Sequence, residues 1–234
     1  MSDTLRPPGL DVLVVLLATL GAILVTIQPV TSPLIASSMV LEVTLFATAL
    51  FLAIRGSAGL AALIQSGVLN VYLSYPLHRV TVAAILLVGR VLLPSALILL
   101  TPLVAATLLL GPTLYRGLDV ILGMYVAYVF QATLYGSVFL LIAVIVRSQA
   151  TSGILSVAAY FTYSALQIIL VGIGGAVGND TVRRLGEALS LPNIAYYSYS
   201  NMDYAMWQLA LVPGLTVVTV LAYLTYMSRR FEVL

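Results

Sequence analysis

Lysine and cysteine are both absent from the 234 residues, and histidine occurs once, as His78. Each absence excludes a class of chemistry. A phosphate-cradling loop uses a lysine to reach the β and γ phosphates of a nucleotide, and neither that lysine nor a GxxxxGK stretch exists here, so this chain carries no P-loop of its own. Without cysteine there are no disulfides and no thiolate nucleophile, and the redox compartment is left open. A single histidine rules out multi-histidine metal sites by count. Charge is scarce as well: charged residues make up 8% of the chain against 62% hydrophobic, with a net charge of +2 carried by ten arginines and eight acids. A soluble globular domain has about three times that share of charge, so lipid is the expected solvent.

The apolar residues come in long runs rather than in short alternating segments, which points to helices and away from a barrel. Six spans are expected, at about 11–30, 33–54, 80–110, 118–146, 152–177 and 207–227, within one transmembrane domain covering 1–234. The fold class is therefore all-α, a polytopic membrane helical bundle. The polar start with Pro7 and Pro8 lacks a signal-peptide cleavage pattern, so Asp11 onward reads as a retained span. Thr31 and Ser32 make a short turn between spans one and two, and Pro94 and Pro102 predict a tilt or kink in the long third span.

Arginine placement orients the bundle, because short cytoplasmic loops hold excess positive charge. With the N-terminus inside, Arg6, Arg55, Arg79, Arg147, Arg229 and Arg230 fall in the cytoplasm. Arg116, Arg183 and Arg184 fall outside, beside Asp119, Asp180, Glu187 and Asp203. Both termini are expected in the cytoplasm and the chain in the cell membrane. The 178–206 segment follows Gly172, Gly174 and Gly175 and carries Tyr196, Tyr197, Tyr199 and Tyr204. With Gly178 its own first residue and Trp207 the first residue of the sixth span just beyond it, the segment reads as an outer re-entrant or interfacial element, the rings settling where lipid meets water.

Between spans two and three, in the cytoplasmic segment 55–79, Leu60, Leu63, Ile64, Gly67, Val68 and Val71 recur at helical spacing, with Ser57 placed to cap the start and Pro76 beyond the end. The periodicity alone also fits a helix lying on lipid headgroups or covering the end of the bundle. The stretch from Gly67 to Arg79 resembles the cytoplasmic loop of ABC-two-type exporter permeases. Gly67, Leu69, Leu73, Pro76, Leu77 and Arg79 match its G-x-L, leucine and P-L-S-R pattern. The six-span layout, the interrupted segment before the last span and the terminal Ser228–Val233 stretch are similar too. Haem-export permeases of cytochrome maturation share the loop pattern, so the subfamily stays open.

The resemblance implies a permease subunit of an ATP-driven exporter, not itself an enzyme and without a cofactor. ATP and Mg would sit in a separate ABC ATPase dimer. Leu60, Leu63, Ile64, Gly67, Leu69, Leu73, Pro76 and Arg79 would then form the coupling helix that receives the movement of the ATPase. An ATPase dimer presents two grooves, which implies a second copy of this chain or a related permease. Where spans two and five of both copies meet, Met39, Glu42 and Phe46 face Tyr160, Tyr163, Ser164 and Gln167, a mixed lining suited to a hydrophobic or amphipathic cargo. Ordinary packing between spans accounts for the same stripes equally well.

Glu42 and Arg90 are the two charges expected deep in the membrane. Counted from the cytoplasmic ends of their spans both lie about 15 to 20 Å in, at 1.5 Å per residue, so they are expected to pair or, for Glu42, to touch cargo. Gln131 and Gln167 read as interhelical hydrogen-bond glue. Two other classes remain: a secondary transporter with Glu42 as its ion site, and a non-transporting assembly factor. Intramembrane proteolysis would need a serine with a buried histidine or two buried aspartates, and neither set occurs. Nucleic acid is not an expected partner.

Overall fold

A computed structural model describes residues 32–74, 78–110 and 117–230, together with Leu16, Thr19 and Ile23. The expected first span, Thr31, Pro76, Leu77, Arg116 and Phe231 to Val233 lie outside the described residues, those three positions of the first span apart. Among the described residues there is no strand, and five helices are long and apolar enough to cross a membrane. They make a multi-pass helical bundle.

The second expected span is longer than its hydropathy suggests. Helix α1 (Pro33–Phe51) passes through a π-helical turn, π1 (Leu52–Ser57), into α2 (Ala58–Gln65) without a break. Ser57 does not cap a new helix, because it is buried against the fifth span: its Oγ donates to the Ser152 carbonyl at 3.4 Å and accepts from Ser156 Oγ at 2.8 Å. The helix ends at Gln65, and the chain turns at Gly67, whose φ of +74° is left-handed backbone that costs an L-residue about 1 to 2 kcal/mol. A short helix α3 (Val68–Ser74) follows.

The third span is α4 (Arg79–Leu87), π2 (Val88–Leu92) and α5 (Leu93–Leu110). Pro94 has no N–H to give the ladder, and the turn just before it widens so that the Leu93 N–H bonds the Val88 carbonyl five residues back. Helix α6 (Leu118–Val146) ends in a left-handed residue, Arg147, with φ 57°. Extended Ser148 then starts α7 (Gln149–Val177) after the tightest of turns.

Helix α6 is the axis of the bundle, with 61% of its most apolar window buried against 6% for α7. One core cluster joins Leu52, Leu60, Leu69 and Val91 to Phe139, Tyr223 and Met227; another joins Leu41 and Leu99 to Met124, Tyr128 and Val212. The last span, α10 (Met206–Arg230), is tied to α6 by Ser137 and Thr219 at 2.7 Å.

Between α7 and α10 the chain forms two short helices. Left-handed Gly178 closes α7, and Asn179 caps α8 (Asp180–Ala188) by accepting from the Val182 N–H at 3.2 Å. Ser190 caps α9 (Leu191–Tyr199), with Pro192 in its first turn. Helix α8 runs back antiparallel along α7: a Cβ on Gly174 would meet the Arg183 backbone, and one on Gly186 would meet Val171 N at 2.8 Å. Only glycines permit that approach.

Candidate functional site

The α8–α9 turn reaches well inside the bundle. Gln131, 1% exposed and near the middle of α6, donates through Nε2 to the Leu189 carbonyl at 3.4 Å and accepts from the Leu191 N–H at 3.1 Å. The Tyr163 hydroxyl donates to the same Leu189 carbonyl. Helix α9 then climbs back along α6 until the Tyr199 hydroxyl meets the Asp119 carbonyl at 3.5 Å. From Asp119 to Gln131 is twelve residues, so the hairpin penetrates about 18 Å along α6 at 1.5 Å per residue. The segment folds back into the bundle beside α6 rather than lying across its end.

The hairpin is also fixed at its open end. Asp180 pairs with Arg183 at 2.8 Å and with Arg184 at 2.6 Å, and Arg184 reaches Asp203 at 3.5 Å. Hydrogen bonds from Arg183 and Arg184 hold the Asp180 carboxyl below its usual range. Buried Gln208 donates to the Arg184 carbonyl at 3.0 Å, joining α10 to α8. Burial raises the Tyr197 hydroxyl above its usual pKa.

Tyr163 and Tyr135 carry the contact from the hairpin turn to an aromatic cluster. Tyr135 stands edge-on to Tyr163 at 5.4 Å and to Tyr160 at 5.2 Å, and Tyr160 meets Phe46 at 5.9 Å and Phe161 at 5.5 Å. Phe46 and Phe161 are 44% and 52% exposed, so the cluster opens on the outer face between α1 and α7. Glu42, exposed one turn from Phe46, interacts electrostatically with Tyr160 and Tyr128.

Four of the expected path residues thus meet: Glu42, Phe46, Tyr160 and, within reach of the Tyr160 hydroxyl, Ser164. Tyr163 does not belong with them, since it faces inward to the hairpin turn. Met39 and Gln167 are half-buried on the flanking turns. Sequence reasoning missed Tyr128, Tyr135 and Phe161. Tyr128 and Tyr135 lie seven residues apart on α6, a spacing that places them on one helical face.

The expected Glu42–Arg90 pair does not form. Arg90 Nη1 donates to the Arg55 carbonyl at 3.1 Å and lies over Gly59, where a Cβ would come within 2.6 Å of it. Arg55 is thirteen residues from Glu42 on one continuous helix, about 20 Å. Counting depth from Ile54 misplaced Glu42, because the helix ends eleven residues later.

The expected coupling residues divide between two helices and the core. Leu60 and Leu69 are fully buried in the bundle's own core, and Leu63 and Ile64 pack against it. Gly67 breaks the stripe between α2 and α3, Leu73 lies in α3, and Arg79 opens α4. The apolar face covers the end of the bundle, and the exposed face carries Gln65, Ser66, Val68, Asn70 and Val71.

No protein-family model matches this chain, and no curated protein matches it in sequence.

Proposed function

We propose that this chain is the membrane-spanning permease subunit of an ATP-driven ABC exporter, moving a hydrophobic or amphipathic cargo with energy from a separate ATPase dimer. The observation that carries the reading is the exposed aromatic cluster between α1 and α7, where Phe46 and Tyr160 stand beside Glu42 and Tyr160 lies about one helical turn from Tyr163, which with Gln131 holds the turn of the hairpin. A polar and aromatic surface opening sideways from the bundle suits a cargo that enters from lipid, and the hairpin stands where it would leave. The turn at Gly67 supplies a short exposed helix face at the other end, where the loop resembling ABC-two permeases lies.

In this reading both termini and the Gly67 end are cytoplasmic, the membrane is the cell membrane, and two copies of this chain, or this chain and a related permease, complete the complex. The exposed α7 surface is the natural meeting face, since so little of it is covered by its own chain. Purification of the tagged chain from its native membranes tests the reading: a P-loop ATPase should remain bound in gentle detergent. A chain that purifies with no nucleotide hydrolase contradicts it.

One observation favours a second reading, an ion-coupled transporter. Glu42 has no ion-pair or hydrogen-bond partner among the described residues. Transport that stops with an ionophore and continues in vanadate would select that alternative.

A further inference from the structure

We propose that Glu42 with Phe46, Tyr160 and Phe161 forms a binding site for the charged head of a lipophilic organic cation, an ammonium or phosphonium carried on apolar groups. The inference rests on the permease reading for its role in transport, but the binding it describes stands on this chain alone.

Glu42 is the one charged residue of α1. Glu42 lies nine residues, about 14 Å, from the start of α1, and an ionised carboxylate that far inside a membrane span costs on the order of 3 kcal/mol unless a counter-charge meets it; within the described residues none does. What lies beside it is aromatic. Phe46, Tyr160 and Phe161 stand mutually 5.5 to 6.4 Å apart, tilted or edge-to-face rather than stacked in parallel, and Phe46 and Phe161 are 44% and 52% exposed, so ring surface stays open to a ligand. The negative face of a ring attracts a diffuse cation within about 6 Å, and a weakly hydrated organic cation gains most because it gives up little water.

A bare metal ion would want several oxygen ligands, and the described residues hold no group of three acids or histidines. A lipophilic cation needs only one carboxylate, ring faces and an apolar approach. The approach is present: Val43, three residues from Phe46 on α1, and Ile168, seven residues from Phe161 and so on the same face of α7, are 42% and 71% exposed.

Tetraphenylphosphonium and tetraphenylborate have the same shape and opposite charge, which makes them the test pair. Equilibrium dialysis of the full chain in nanodiscs, corrected for protein-free discs, should give saturable tetraphenylphosphonium binding that tetraphenylborate does not displace. Glu42→Gln should weaken it roughly tenfold or more, Phe46→Leu and Phe161→Leu roughly threefold each, and Glu42→Asp should keep most of it. The leucine variants retain bulk and read the site even if Glu42→Gln does not fold. Equal binding of the two ions, no saturable binding, or unchanged affinity in Glu42→Gln or in both leucine variants overturns the proposal. The first two results are those expected of a protonated Glu42 or of a carboxylate already paired with an arginine of a second copy. A chain that retains an ATPase but binds no cation loses this inference and keeps the permease reading; the reverse result does the opposite.

Discussion

The Arg90 guanidinium donates to the Arg55 carbonyl at 3.1 Å, binding the wide turn of the third span to that of the second. Both partners lie in π-helical turns, and a Cβ on Gly56 would stand 3.4 Å from the Arg90 carbonyl. The contact has a consequence for Glu42, which lies about 20 Å away. Arg90→Ala should destabilise the bundle by about 1.5 to 3 kcal/mol, as loss of a charged hydrogen bond does, and Glu42→Gln should add to it within about 0.5 kcal/mol. A double-mutant cycle on unfolding in detergent measures this, and strong coupling would restore the pair that the geometry denies.

Gln131 fixes the hairpin turn through two backbone groups. Gln131→Ala leaves the Leu191 N–H and one acceptor site on Leu189 without their partner in a dry setting, at a cost of about 1 to 3 kcal/mol. Hydrogen exchange at 189–191 should rise well above that of the rest of α9. Unchanged protection would mean that Tyr163 alone holds the turn.

The ion network at Asp180 makes a pH prediction. Because its folded pKa lies below the ordinary 3.8, its contribution is fully present above 3.8 and is lost as pH falls below that value toward the folded pKa. Corrected for intrinsic rate, exchange in α8 should therefore be flat between pH 5 and 8 in both the parent and Asp180→Asn, and faster in the variant. It should rise on acidification below 3.8 in the parent and not further in the variant. An effect near neutrality would place the responsible group elsewhere.

Topology is testable because the chain has no cysteine of its own. A single cysteine replacing Ser66, exposed at the Gly67 end, should react with an impermeant maleimide only when the cytoplasmic side is open to it. A cysteine replacing Asn201 should react from the outside. The opposite pattern would invert the bundle.

Much of this architecture is legible in the sequence. Hydropathy places the spans after the first, since a 20-residue apolar run in lipid has few alternatives to helix. The hairpin is half-legible: glycines and tyrosines mark 178–206 as unusual, and Asn179 before Asp180 and Ser190 before Pro192 are helix starts that locate both short helices. Its depth is not legible, because that depends on Gly174 and Gly186 meeting a partner helix. The end of the second span was misread because Arg55 resembles a membrane boundary, whereas Ser57 and Gly56 are buried and carry the helix on to Gln65. The Leu60 and Leu69 stripe shows that periodicity reveals an apolar face without revealing whether it meets a partner or its own bundle.

The most direct test of the proposed ATP-driven transport is hydrolysis by this chain, purified from its native membranes into nanodiscs with whatever ATPase it holds, with Val68→Asp and Asn70→Arg placed on the exposed face of α3. Vanadate-sensitive hydrolysis should co-elute with the chain and fall roughly tenfold in the double variant, as loss of an interface hot spot would give. A parent chain that elutes with no hydrolysis, or a double variant that hydrolyses and transports like the parent, would contradict it.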